Sequence, residues 1–240
     1  MFFICFSHEE RYIIAQSLSY HLKNFGFEVW YDYDKLFIGD IGDKLNFDEG
    51  LFISDYVIII LSSNIFQSPC ALSELNQIYD LYTKDKITIL PILYKLDFKM
   101  IPEKFHWIKN FIYAEIVDLS EIIDIATQIA SKYLEDIIRK KNLSLSCNLN
   151  IKTSPFIEEI IKCYNCIDKN NINSRATILY ILNTYLATNY DFNYPKFCTQ
   201  SVRYLYQLTN LNISINFKEI SLMENSTILL YNLVNDCSNL

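Results

Sequence analysis

The sequence predicts an α/β fold, an open five-stranded parallel sheet with helices on both faces, followed by a small all-helical domain. Two features of residues 1–143 predict the sheet. Short apolar runs alternate with helical patterns, an order that right-handed crossovers turn into parallel strands. The runs themselves, such as "YVIIIL" and "KITILPILY", are nearly continuous in apolar residues, as strands buried on both faces are. The third observation is a change of composition. From Ser144 onward the chain has no glycine or histidine, is rich in asparagine, and balances its acidic and basic residues. A boundary is therefore placed near "KKNLSLSCNLN", dividing residues 1–143 from 144–240.

In chain order, "FFICF" reads as the first strand and "EERYIIAQSLSYHLKNF" as a helix ending at Gly26. "FEVWYD" is the second strand, followed by the glycine-marked loop "YDKLFIGD" and a helix running through Phe52 to the third strand, "YVIIIL". In "SPCALSELNQIY", Ser68 is placed to cap a helix and Pro69 suits its first turn. Leu72, Leu75, Tyr79 and Leu81 recur near helical spacing and are expected to face the core. The fourth strand is "KITILPILY", a short helical piece surrounds "PEKFHWI", and "FIYAEI" is the fifth strand. The amphipathic "LSEIIDIATQIASKYLEDIIRKK" closes the first part. Beyond it, "SPFIEEIIKCYNCI", "NSRATILYILNTYLATN", "YPKFCTQSVRYLYQLTN" and "NFKEISLMENSTILLYNLVND" read as helices joined by short connections, hence a small bundle.

Composition excludes several classes of function. With 51% apolar residues the chain can build a substantial core, and global disorder is not expected. Its longest apolar runs are too short to cross a bilayer, and no basic segment precedes a long apolar stretch at the start. No membrane partner is expected. Seven cysteines at irregular spacing, without secretory context, point to reduced thiols and a cytoplasmic location. A net charge of −7 argues against direct nucleic-acid binding, which needs a positive footprint.

An open doubly wound sheet places its ligand crevice at the carboxyl ends of its strands, which directs attention to the loops after Phe6, Asp32 and Leu61. Phe6, Ser7 and His8 end the first strand and are candidates to line a pocket. The competing readings are a core Phe6 and a merely exposed His8. Asp32, at the end of the second strand, is a candidate ligand residue or a plain turn-forming aspartate. Gly39 suits a turn with positive φ, and Asp40 is placed to cap the next helix. Glu74 lies two residues from Leu72, about 200° around the helix, and so off the expected apolar stripe. By itself the segment favours a solvated surface acid.

Four clusters together resemble the Toll/interleukin receptor (TIR) domain family over residues 1–140. "FICFSHEE" looks like its opening strand and loop, and "GFEVWYDYDKLFIGD" like its second strand and the loop after it. "SDYVIIILSSNIFQSPCALSEL" is similar to the third strand, linker and glutamate helix, and "FHW" to a late Phe-Trp element. The helical tail resembles nothing identified. The resemblance implies a flavodoxin-like sheet and, in the prokaryotic NAD-cleaving branch, hydrolysis or cyclisation of NAD+ with release of nicotinamide. NAD+ is then a substrate, and no resident cofactor or metal is implied. It places the catalytic role on Glu74, substrate contacts on Phe6, Ser7, His8, Asp32 and Cys70, and an assembly loop on Leu36, Gly39 and Asp40. It further implies a microbial immune effector or signal generator, for instance in antiviral defence, switched on by self-assembly. The helical tail is a candidate sensor or oligomerisation module. The alternative is a non-enzymatic adaptor working through TIR–TIR contacts.

This sequence departs from the family pattern at two places. Cys70 stands where a tryptophan is usual, four residues before the glutamate and on its face of the helix. Cys5 stands where a small hydroxyl residue is usual, a mild change if it is simply a small core residue. Trp30 is expected to pack in the core. Rival chemistry finds little support. "CYNC" has the bare C-x-x-C spacing of Cys163 and Cys166, but a zinc site needs two more ligands. Cys147, Cys198 and Cys237 form no second pair of that spacing, so buried free thiols are expected. No residue directs His106 at a thiol, and neither a phosphate-binding P-loop nor a dinucleotide fingerprint is present.

Overall fold

The computed structural model describes residues 1–145, 154–190, 193–210 and 215–237. Among these, β1 (Phe2–Cys5), β2 (Val29–Trp30), β3 (Tyr56–Leu61), β4 (Thr88–Tyr94) and β5 (Ala114–Ile116) form one parallel sheet in the order β2-β1-β3-β4-β5. The chain steps outward from β1 to β2, then returns to the other side of β1 for β3. That reversal creates the topological switch point at which such sheets open a crevice. The ladder pairs Cys5 with Ile59 and Leu61 with Leu93, so the carboxyl ends of β1 and β3 lie side by side. Strands β2 and β5 are shorter than the sequence suggests, pairing only through Val29–Trp30 and Ala114–Ile116.

Alternation along the strands sends Phe3, Cys5, Val57, Ile59 and Leu61 to one face, where they form an apolar cluster with Trp30, Ala71, Leu75 and Ile78. The last three belong to α4 (Pro69–Tyr82), which starts as expected: the Ser68 hydroxyl accepts from Ala71 N and Pro69 opens the first turn. Its buried stripe differs from the expected one. Ala71, Leu75 and Ile78 are buried, whereas Leu72 and Leu81 are only partly so and Tyr79 is exposed, its ring tilted against Trp107. The small Ala71 allows the helix to sit close to the sheet there. Glu74, three residues after Ala71 and four before Ile78, consequently borders the sheet-facing stripe instead of pointing away from it.

The first helical region begins as tight and widened turns over His8–Glu10 and Arg11–Ala15, then becomes regular as α1 (Gln16–Asn24). After β2 come α2 (Asp32–Lys35), a loop, α3 (Gly42–Leu45) and a widened turn, Asn46–Gly50. Gly39 has φ +102°, the left-handed conformation expected of it. Asp40 does not cap the following helix. Its carboxylate accepts from Phe37 N at 2.8 Å and so closes its own loop. An aspartate three residues after an amide closes a local turn as readily as it caps a helix.

The chain divides into two compact units: Met1–Lys23 with Phe27–Ile125, and Asn24–Gly26 with Ala126–Leu240. Helix α5 (Ile122–Lys141) starts in the first and continues in the second. The boundary segment "KKNLSLSCNLN" and Cys147 lie partly or wholly outside the described residues, as does the side chain of Cys237. In the second unit α6 (Pro155–Cys166), α7 (Ile172–Asn189), α8 (Phe197–Asn210) and α9 (Phe217–Cys237) bury Leu179, Leu186, Val202, Leu205, Met223 and Leu230. Two polar links specify the packing. Asn183 donates to the Cys198 carbonyl at 2.8 Å and to Thr227, and Arg175, lying over the Tyr164 ring, reaches Glu224 at 3.3 Å. Cys163 and Cys166 are exposed free thiols, not the buried ones expected, because both lie off the Ile157–Ile161–Tyr164 stripe of α6.

Candidate active site

At the carboxyl end of β1 a chain of hydrogen bonds converges on Glu74. The indole Nε1 of Trp30 donates to Asn46 Oδ1 at 2.7 Å, and Asn46 Nδ2 donates to Glu74 Oε1 at 2.6 Å. Each link comes from a different element: Trp30 ends β2, Asn46 opens the widened turn before β3, and Glu74 sits one turn into α4. Cys5, the last residue of β1, hydrogen-bonds the same glutamate from the sheet side. Burial, then the Glu74 charge and that hydrogen bond, push the Cys5 thiol well above its ordinary range. The thiol therefore stays protonated and serves as a donor to the carboxylate. Gly50 makes the arrangement sterically possible. A Cβ there would lie 2.6 Å from Trp30 Nε1, so only glycine lets this backbone lie against the indole.

Beside this network lie two further polar groups. Glu10, buried, accepts from the Ser7 hydroxyl and, at 2.9 Å, from Asn64 Nδ2, tying the loop after β1 to the loop after β3. Asp32 Oδ2 accepts from Arg11 Nη2 at 3.0 Å, and the Arg11 carbonyl accepts from the Tyr31 hydroxyl at 3.2 Å. Asp32 Oδ1 and Arg11 Nε are buried with no hydrogen-bond partner among the described residues. Phe6 packs against Tyr31 with ring centroids 5.6 Å apart. Burial, reinforced by the Asp32 charge, pushes the Tyr31 phenol up to about 12.

The candidate residues thus separate. Glu74 lies in the crevice region, Phe6 is half-buried at its edge, and Asp32 is engaged by Arg11. Ser7 is turned inward and gives its hydroxyl to Glu10, while His8 is exposed. Cys70 is exposed one turn before Glu74. Leu36 is partly buried against the sheet cluster, but Phe37, Ile38 and Ile41 beside it are exposed, so the loop presents an apolar tip. Cys5 is more than a small core residue, since it touches the glutamate. Asn46, Glu10 and Arg11 are polar neighbours of the candidate residues that sequence reasoning misses. Asn46 carries one usable signal, a polar residue at a position where an amphipathic segment turns to the core.

Comparison with known proteins identifies the family. The TIR domain family profile matches residues 2–122, just over half of the 240-residue chain. A 2' cyclic ADP-D-ribose synthase, BtTIR of Bacteroides thetaiotaomicron, is 37% identical over 95 residues, which is 40% of this chain and 33% of that protein. The NAD(+) hydrolase TcpA of a Theionarchaea archaeon is 32% identical over 90 residues, 38% of this chain and 27% of that protein. The NAD(+) hydrolase PdTIR of Paracoccus denitrificans is 32% identical over 94 residues, 39% of this chain and 31% of that protein. The chain therefore matches about a third of the length of these relatives. No solved structure matches it significantly. With five parallel strands in the order β2-β1-β3-β4-β5 and a family match that spans all of them, the chain belongs to the TIR domain family.

Proposed function

We propose that this chain cleaves NAD+ at the nicotinamide–ribose bond, with Glu74 as the catalytic carboxylate. The observation that carries the reading is the convergence of Asn46 and Cys5 on Glu74 at the carboxyl edge of the sheet. Nicotinamide in NAD+ is already a cationic leaving group and departs without a general acid. Its loss leaves positive charge on the ribose, and a fixed carboxylate stabilises that charge and orients the sugar hydroxyls. A single glutamate therefore suffices. Asp32 Oδ1, buried without a partner among the described residues, is an acceptor suited to a ribose hydroxyl. Water attack gives ADP-ribose, and attack by a hydroxyl or ring nitrogen of the substrate gives a cyclic product. The activities for which the relatives are named cover both outcomes.

In this reading the protein is a microbial immune effector or signal generator that acts in the cytoplasm and becomes active on self-assembly. No helix among the described residues is long and apolar enough to cross a membrane. The exposed Phe37, Ile38 and Ile41 give the loop after β2 a surface on which a second chain can pack, completing the pocket. The division into a catalytic domain of residues 1–143 and a helical sensor or assembly domain of 144–240 belongs to the same proposal. The same apolar tip also suits a non-enzymatic adaptor, and Cys70 in place of an aromatic wall favours that second reading. Nicotinamide release by the full chain, measured over a range of protein concentrations beside Glu74→Gln, separates the two. The enzyme loses at least about a hundredfold in rate in the variant. Release that survives in Glu74→Gln removes Glu74 from the catalytic role, and no release at any concentration favours the adaptor.

A further inference from the structure

We propose that Asn46 is a positioning residue whose amide, oriented by the Trp30 indole, holds the Glu74 carboxylate for reaction. The inference rests on the reading of Glu74 as the reacting group. An indole N–H can only donate. At 2.7 Å from Trp30 Nε1, Asn46 must present its oxygen there, which turns its NH2 toward Glu74 Oε1 at 2.6 Å. A flipped amide would set oxygen against oxygen at Glu74 and N–H against N–H at Trp30. Trp30 thereby fixes the orientation of an amide sixteen positions away in sequence.

The indole is packed in turn. It lies in the apolar cluster against the Gly50 backbone, and the Ser54 hydroxyl donates to the Gly50 carbonyl at 2.9 Å, holding that backbone in place. The Cys5 thiol, at the end of β1, meets the same carboxylate. Other carboxylates at these strand ends have their own donors. Glu10 is engaged by Ser7 and Asn64, and Asp32 by Arg11, so neither competes for the Asn46 amide. A hydrogen bond from a neutral amide to a carboxylate favours the ionised form without adding charge that would repel a cationic sugar.

The test compares Asn46→Asp, Asn46→Leu and Trp30→Phe in the full chain. It reads the 13C titration of the Glu74 carboxyl, assigned by its loss in Glu74→Gln, together with kcat, KM and the pH–rate profile of nicotinamide release. Asn46→Leu removes the donor without adding charge, and the Glu74 titration midpoint is expected to rise by about one pH unit. The acid limb of the rate profile moves with it. In the same variant kcat falls about tenfold or more while KM stays within about threefold. Asn46→Asp moves the midpoint further, and Trp30→Phe moves it less but in the same direction, because the amide is then free to flip. A merely structural Asn46 would lower thermal stability and leave the midpoint in place. An unchanged midpoint in Asn46→Leu overturns the proposal. If Asn46→Asp does not fold, the two uncharged variants still decide. A midpoint that moves in a chain releasing no nicotinamide keeps Asn46 as the residue that sets the carboxylate, and counts against the NAD-cleaving reading alone.

Discussion

In the proposed reaction the Glu74 carboxylate faces a developing cation and has to be ionised and fixed, demands that fall on neighbours of very different kinds. Cys5 is the least obvious of them. Its raised thiol is a poor nucleophile, so iodoacetamide at mildly alkaline pH is expected to label exposed Cys70, Cys163 and Cys166 and to spare Cys5 and Cys198, as peptide mass spectrometry would show. Heavy labelling of Cys5 in the folded chain would contradict its placement. Asp32 carries a different load. Its partner Arg11 is only about a fifth exposed, so Asp32→Ala leaves a largely buried charge unpaired. We expect a loss of about 1–2 kcal/mol in urea unfolding. Tyr31 gives the site region a pH signature. Its phenol titrates at about 12 in the folded chain against 10 otherwise, so the neutral form is favoured by folding. That contribution is complete below pH 10 and is lost as pH rises through 12, and alkaline unfolding should become shallower in Tyr31→Phe. Equal pH dependence in both proteins would refute it.

At the scale of elements, the widened turn Asn46–Gly50 does two things at once, aiming Asn46 at the carboxylate and laying Gly50 on the Trp30 ring. Gly50→Ala forces one of them to move, because the new methyl would meet the indole at 2.6–2.7 Å. A destabilisation of about 1–3 kcal/mol is expected, with nicotinamide release reduced alongside. Ser68→Ala should cost about 1 kcal/mol by removing the cap of α4 and nothing more. These elements also show what is and is not legible in the sequence. Strand β3 and the start of α4 are plain, the one from a continuous apolar run, the other from Ser68 followed by Pro69. The stripe of α4 misleads, because large apolar residues draw the eye to Leu72 and Tyr79 while small Ala71 marks the close approach. Glu74 is therefore found through family resemblance, not through its helical position. The hydrogen bonds from Asn46 and Cys5 are hidden for a simpler reason: they join residues far apart in sequence, and no local pattern records them.

For the molecule as a whole, the exposed tip at Phe37, Ile38 and Ile41 sets the expected rate law. If one chain completes the pocket of another, nicotinamide release rises faster than linearly with protein concentration. Ile38→Asp should then depress release severalfold while leaving the melting temperature unchanged, since that side chain is fully exposed. A linear dependence, untouched by Ile38→Asp, would mean that each chain works alone. The Trp30 indole has one more consequence at this scale. The chain has two tryptophans, and the other, Trp107, stacks on Tyr82 at the far end of α4. The Trp30 indole proton is locked onto a buried amide and trades with heavy water only when that contact breaks. Its lifetime is a clock for opening of the crevice, with the Trp107 proton ticking beside it as an internal standard, and it can be read without substrate, label or turnover.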